Sequence, residues 1–378
     1  MKKFSFVIPT YNNKILLKNT LEALNNQKGY GLKDYEAVVV DDGSNDDTYE
    51  YIKGVNRDYE LRYIYLPRTA DSCRARTRNT GWKAASGKII AFIDSDIIVQ
   101  DNYLSELERC FSMKKKIFVI GNRLMLPKKN NYEDVASGSI YKEYMFDKND
   151  FNLLEFRYFL YEITSYNING IMCPWMQVYS CNLAIPRRVL KRIGGFDENF
   201  KYWGIEDLEL GYKLYKKKVQ LVINNKLEVL HQYHGERNDL VIAKEKIPGY
   251  EINIDYLMKK HPEALRMNRQ LAYKFFKGEI SSDKLLLEMG YEPVYLEFRD
   301  KKELQKLKKK IRKLASRDKL KIIVNDYVED SDLDIWIQLM GDSTSIVRYY
   351  PASRRLDKGA VMQFLKEEKK RQRLRSEA

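Results

Sequence analysis

Ile89-Ile90-Ala91-Phe92-Ile93-Asp94-Ser95-Asp96 joins an apolar run to two carboxylates one residue apart. Such a run predicts a strand buried on both faces, and it leaves the aspartates at the strand's carboxyl end. The same form recurs toward the N-terminus. Phe4 to Ile8 runs into Pro9-Thr10-Tyr11, and Ala37 to Val40 runs into Asp41-Asp42-Gly43-Ser44. Leu61 to Leu66 reads as a further strand. Between them, Ile15 to Leu24 has helical spacing (Leu17, Leu21, Leu24), and Thr48 to Ile52 begins a second helix. This alternation predicts an α/β fold with a mainly parallel sheet and helices on both faces. Ligands of such sheets bind beyond the carboxyl ends of the strands, so three polar clusters should converge on one rim.

After residue 100 the pattern loosens. Ile117 to Ile120 is a strand, a Tyr- and Asn-rich stretch follows, and a dense block runs from Trp175 to His234. Beyond Asp239 the character changes. Tyr256 to Leu287 reads as short helices and Val294 to Phe298 as a strand. Leu304, Leu307, Ile311 and Leu314 form an apolar stripe on a very basic helix. Leu320 to Val324, Asp334 to Leu339 and Ile346 to Tyr350 read as strands, and Lys358 to Arg375 as a last charged helix. The expected division is residues 1–240, a catalytic α/β unit, and 241–378, a smaller helical then α+β module for acceptor binding or oligomerisation.

The chain has 378 residues, a hydrophobic fraction of 44% and a formal net charge of +14. That composition fits a globular class and excludes a disordered one. The charge suits an anionic partner: a nucleotide diphosphate, an acidic glycan, nucleic acid or an anionic membrane face. Cys73, Cys110, Cys173 and Cys181 form no CxxC pair and read as free thiols of a reducing cytosol. Met1 to Pro9 is too short for a signal-peptide core, and no stretch approaches the roughly 20 apolar residues of a spanning helix. The expectation is a cytoplasmic protein, at most peripheral on the inner face of the cell membrane.

Paired carboxylates at a strand end can hold a hard divalent cation that bridges the phosphates of a donor, although D-x-D alone also fits a turn or a helix N-cap. Around Asp42, Gly43 and Ser44 suit a turn while the carboxylate is free for the base or ribose of a nucleotide. Tyr11 could stack on a nucleobase or simply pack.

Taken together, Val7-Ile8-Pro9-Thr10-Tyr11-Asn12, Val40-Asp41-Asp42-Gly43-Ser44, Arg78-Asn79-Thr80-Gly81, Ala85-Ser86-Gly87 and Asp94-Ser95-Asp96 resemble the family 2 inverting glycosyltransferases of the GT-A fold. Gly194-Gly195-Phe196-Asp197 with Trp203-Gly204-Ile205-Glu206-Asp207 is similar to the acceptor-side motif of galactosyltransferases and chondroitin-type polymerases. The resemblance covers about residues 1 to 237. It implies a UDP-sugar donor whose nucleotide is held by Pro9, Thr10, Tyr11, Asp42, Arg78, Asn79, Asp94 and Ser95. It implies Asp207 as the base that deprotonates a hydroxyl or thiol acceptor, with Glu206 binding sugar, and Trp203, Gly204 and Asn182 on the acceptor and sugar side. Asp96, His231 and Asp94 would hold manganese, with magnesium as second choice, and His234 is the alternative to His231. The acceptor stays open among a glycan, a lipid-linked sugar and a peptide.

Two other classes compete. A sugar nucleotidyltransferase needs a Gly-rich phosphate loop after the first strand, and Pro9-Thr10-Tyr11-Asn12-Asn13 has no glycine. A basic binder of nucleic acid or anionic surfaces would rest on Lys308-Lys309-Lys310-Ile311-Arg312-Lys313 and Lys369-Lys370-Arg371-Gln372-Arg373. These stretches have the look of solvated helix faces, so no nucleic-acid partner is expected. Peripheral membrane contact through them, and homo-oligomerisation, stay open.

Overall fold

The computed structural model describes residues 1–54, 57–144, 153–163, 166–170, 173–235, 244–264, 292–340 and 345–351. In chain order its first half runs β1 (Phe4–Thr10), α1 (Lys14–Asn25), β2 (Tyr35–Asp41), α2 (Thr48–Lys53), β3 (Glu60–Tyr65), α3 (Arg74–Ala84) and β4 (Ile89–Ile93). There follow β5 (Ile97–Val99), α4 (Tyr103–Met113), β6 (Ile117–Met125), α5 (Tyr132–Ala136), α6 (Ser139–Tyr144), α7 (Phe156–Ile163), β7 (Asn182–Pro186), α8 (Arg187–Ile193), α9 (Glu206–Lys216), β8 (Gln220–His231) and α10 (Ile247–Lys260). The strands form one eight-stranded sheet in the order β3-β2-β1-β4-β7-β6-β8-β5. β1 to β4 are parallel, as are β6 and β8, while β7 and β5 run against their neighbours.

Alternation within the apolar runs explains why both faces are covered. Phe4, Phe6, Ile8, Ala37 and Val39 enter one core, and Val7, Val38 and Val40 enter the other. The spacing read on α1 places Leu17, Leu21 and Leu24 in the first core, each at most 1% exposed. Truncating any of them to alanine would cost about 2–5 kcal/mol.

Register aligns the functional rim. Thr10 pairs with Asp41, and Asp41 with Tyr65, so the carboxyl ends of β1, β2 and β3 lie level. His231 pairs with Ile97 of β5 and with Met125 of β6, and the Gln232 N–H donates to the Asp96 carbonyl at 2.9 Å. The end of β8 therefore lies against Asp96, although the two are far apart in sequence.

The expected boundary near residue 240 falls outside the described residues, as do the expected helix at Lys358 to Arg375 and most of Tyr256 to Leu287. Beyond it, β9 (Glu292–Phe298), α11 (Leu304–Ala315), β10 (Leu320–Asp326), α12 (Ser331–Leu339) and β11 (Ile346–Pro351) build a second, three-stranded parallel sheet with its own apolar core. The strand expected at Asp334 to Leu339 is instead α12. Asp330 caps that helix, its side chain accepting from the Asp332 N–H. Leu333 and Ile337 pack into the small core while Ile335 packs into the large one. Burial on two sides makes the apolar positions look like a strand's alternation. Among the described residues no helix is long and apolar enough to cross a membrane.

Gln338 joins the two sheets. β5 covers the outer edge of β8 only at Val229 to His231. At Ile223 the buried Gln338 side chain does the work of a strand: its Oε1 accepts from the Ile223 N–H at 2.7 Å and its Nε2 donates to the Ile223 carbonyl at 2.9 Å. Gln338→Leu leaves both backbone groups buried without partners. It should lower unfolding free energy by about 2–4 kcal/mol in urea titration, whereas the exposed Lys309→Leu should change it by less than about 0.5 kcal/mol.

Candidate active site

One side of the rim is built from loops after β1, β2 and β3. Thr10 and Asp42 are buried, and among the described residues the Thr10 Oγ1 and Asp42 Oδ1 atoms have no hydrogen-bond partner, an expensive state unless a ligand completes them. The other Asp42 oxygen accepts from Arg68 at 2.9 Å, and the Arg68 guanidinium lies 4.0 Å from the centre of the Tyr11 ring. Tyr11 is 46% exposed, so a flat apolar surface stands beside two unsatisfied polar groups. Asn12 and Ser44 tie the loops together through the Asn12 N–H to Ser44 Oγ bond at 2.8 Å. Pro9, half-buried, leads into Thr10. Ser95 is internal: its hydroxyl accepts from Asn13 at 2.9 Å and its carbonyl from the Thr20 hydroxyl at 2.9 Å.

Beneath the rim runs a chain of charge. The buried Arg78 donates to Asp94 at 3.1 Å and to Glu206 at 2.9 Å. Burial works against its charge, but Asp94, Glu206 and Asp207 outweigh that and keep it protonated. Asp94 comes from the end of β4 and Glu206 from the first turn of α9, so one arginine couples the two halves of the motif set. Asp207 stands next, its Oδ2 accepting from the Ser180 N–H at 3.1 Å and the Ser180 hydroxyl at 3.3 Å. Burial, then the neighbouring Glu206 charge, push the Asp207 carboxyl up to about 6, while Arg78 and the Ser180 N–H oppose the rise. That value suits a group that must accept a proton near neutrality.

The turn before α9 is conformationally demanding. Gly204 has φ +84°, and a Cβ there would meet the Tyr250 ring at 2.9 Å. Ile205 is held at φ 78°, a left-handed conformation that β-branched residues rarely adopt. Strain of this kind gathers at sites the surrounding structure over-determines, here immediately before Glu206-Asp207. Trp203 is 37% exposed.

Asp96, His231 and His234 bring one oxygen and two nitrogens within 4.8 Å of one another. The Asp96 Oδ2 lies 3.5 Å from His231 Nε2 and 3.4 Å from His234 Nε2, and the buried Asp96 Oδ1 has no partner among the described residues. Burial raises the Asp96 carboxyl, yet both imidazoles and Arg123 hold it below the ordinary range. Burial, Arg123 and His234 keep His231 below its ordinary value, so at pH 7 it offers a neutral nitrogen. The donor set and the orphaned oxygen fit a divalent cation. Both histidines reach the carboxylate, and the Asp94 Oδ1 accepts from Arg78.

Two expected contacts are otherwise engaged. Asn79 accepts from Trp82 and the Phe196 N–H and donates to the Phe196 carbonyl and Glu198, so it fixes the Gly195-Phe196 turn. Asn182 donates to the carbonyls of Asn122 and Leu227 and accepts from Tyr103, inside the sheet. Trp175 is buried against Tyr212. Three participants lay outside the sequence reading. Arg68 follows β3, and the strand-end rule applied there would have found it. Ser180 and Arg123 carry no local signal.

The model of glycosyl transferase family 2 matches residues 5–194, and that of the N-terminal domain of galactosyltransferase matches residues 164–235. Validoxylamine A glucosyltransferase of Streptomyces hygroscopicus subsp. jinggangensis is 28% identical over 276 residues, covering 69% of this chain and 61% of that protein. Chondroitin synthase of Escherichia coli is 27% identical over 278 residues, covering 71% of this chain and 40% of that protein. The chain thus spans less than two thirds of the length of either relative. Among solved structures, S. aureus TarS 1-349 in complex with UDP-GlcNAc aligns with a TM-score of 0.47 at 16% identity, over 77% of this chain and 73% of that one.

Ser180 gives the site a direct test. Its N–H stays in Ser180→Ala, which removes only the 3.3 Å hydroxyl donor, so that variant should move the Asp207 titration upward by at most about half a pH unit, and Ser180→Thr should restore it. Carbon NMR of carboxyl-labelled aspartate, with Asp207→Asn assigning the signal, reads the shift; an unmoved Asp207 titration refutes the role.

Proposed function

The chain belongs to glycosyl transferase family 2, and from that premise we propose that it moves a hexose or N-acetylhexosamine from a UDP-sugar to an acceptor hydroxyl with inversion. The observation that carries the reading is Asp207, fastened by Ser180 and poised near neutrality on the far side of Arg78 from Asp94. Thr10, Tyr11 and Asp42 receive the uridine, their open polar atoms and exposed ring supplying hydrogen bonds and a stacking face. Asp94, oriented by Arg78, faces the ribose. Asp96, His231 and His234 would hold a divalent cation, which would supply positive charge to the diphosphate and so ease departure of UDP. Two imidazoles beside one carboxylate favour manganese over the oxygen-preferring magnesium.

Asp207 takes the acceptor proton on its Oδ1, because Ser180 engages Oδ2. Removal of that proton makes the acceptor oxygen a competent nucleophile. Attack from the face opposite the diphosphate inverts the anomeric centre. Glu206, pinned by Arg78, holds its second oxygen free for a sugar hydroxyl. A cytoplasmic setting accords with four free cysteines.

A panel of UDP-sugars screened for manganese-dependent hydrolysis fixes the donor. EDTA, or Asp96→Asn with His231→Ala, should abolish turnover, and chelator-insensitive transfer counts against the metal assignment. Asp207→Asn should lower kcat by about 10²–10⁴-fold while UDP binding, read by thermal shift, persists. Full rate in that variant removes Asp207 from the base role. For the unmodified enzyme, kcat/KM should rise with pH through about 6 as Asp207 loses its proton, then level off.

A further inference from the structure

Helix α10 lies outside the residues matched by either family model, which end at 194 and 235. It is nevertheless fitted closely to the turn that leads into α9. A Cβ at Gly249 would meet the Tyr202 ring at 2.7 Å, and one at Gly204 would meet the Tyr250 ring at 2.9 Å, so a glycine on each partner lets helix and turn touch. Asn253 is 1% exposed, and its amide donates to the carbonyls of Tyr202 at 3.0 Å and Gly204 at 2.8 Å. One buried side chain thus grips the turn at two points. Leu257, one helical turn further along α10, packs with Ile205 and Leu208 in a single apolar cluster.

The turn held in this way has a demanding shape. Gly204 and Ile205 are both left-handed, at φ 84° and 78°, and Ile205 is buried. A β-branched residue keeps that conformation only where its surroundings impose it. The Gly204 carbonyl belongs to the peptide between these two residues, so a hydrogen bond to it fixes both sides of the strained link. The path onward is short. The Ile205 carbonyl accepts from the Glu209 N–H at 2.9 Å, the first bond of α9. Rotation of the Gly204–Ile205 peptide would swing the opening turn of that helix. On that turn Glu206 meets Arg78 at 2.9 Å and Asp207 meets the Ser180 N–H at 3.1 Å.

We propose that Asn253 is a positioning residue for Asp207: by holding the Gly204–Ile205 peptide it sets where the first turn of α9 delivers the carboxyl that Ser180 engages. The effect on rate rests on the transferase reading and deepens it, adding to the machinery a residue that neither family model reaches.

Hydrogen exchange at the Ser180 amide reads the placement of Asp207 without any substrate. In Asn253→Ala that exchange should be about tenfold faster. Tyr256→Phe removes a different anchor of α10, its 2.9 Å bond to Asp197, and should leave Ser180 exchange and kcat unchanged. Unchanged Ser180 exchange in Asn253→Ala refutes the positioning role. With manganese and the donor found in the UDP-sugar panel, Asn253→Ala should lower kcat about 10–100-fold at constant donor KM. In an Asp207→Asn background the same substitution should change the residual rate by less than about twofold, because no base is left to place. Equal losses in the two backgrounds would reveal general loosening and overturn the proposal. Asn253→Ser keeps one donor and should show both effects in smaller degree, which serves if Asn253→Ala unfolds at the assay temperature. If no UDP-sugar turns over in the unmodified chain while Ser180 exchange still responds to Asn253, the transferase reading falls and the brace stands.

Discussion

Arg78 is the interaction on which the site depends. It is buried between Asp94, which directly follows β4, and Glu206, which opens α9. Without it three carboxylates, Asp94, Glu206 and Asp207, would crowd one poorly solvated region. Removing one partner of a buried charge pair typically costs 3–5 kcal/mol because the remaining charge is left uncompensated. The cation therefore permits three acids to stand close together in one region. It also ties their geometry, since a shift of α9 against β4 would break one of its two bonds.

Much of this was legible in the sequence. Apolar runs ended by Pro9-Thr10-Tyr11, by Asp41-Asp42 and by Asp94-Ser95-Asp96 gave the parallel strands and the rim, because strand ends in such sheets are level by register. The Trp203 to Asp207 block gave the helix start and its acids. What was hidden has a common cause: it depends on contacts between distant segments. Asn79 and Asn182 look like ligand contacts in a linear motif, yet their amides close gaps between backbones that only the fold brings together. The sequence favours His231 over His234, whereas β8 pairing with β5 brings both to Asp96. α12 read as a strand because Ile335, Ile337 and Leu339 alternate, and a helix wedged between two cores needs apolar residues on two sides.

The turn before α9 is assembled differently from the rim. Thr10, Asp42 and Asp94 sit at strand ends fixed by the sheet. Trp203, Gly204 and Ile205 occupy a turn with two successive left-handed residues, and that turn is braced from outside by α10. Its shape is thus set in part by a segment beyond the residues that the family models match.

Gln338 carries a last consequence. A sheet edge with open N–H and C=O groups is a template for pairing with another chain. By satisfying Ile223, the C-terminal unit seals part of the β8 edge as well as adding its own core. A shortened chain ending near residue 240 would keep Arg78, Asp96, Asp207, His231 and His234 yet bare that edge, so its weakness would show first as self-association and poor solubility.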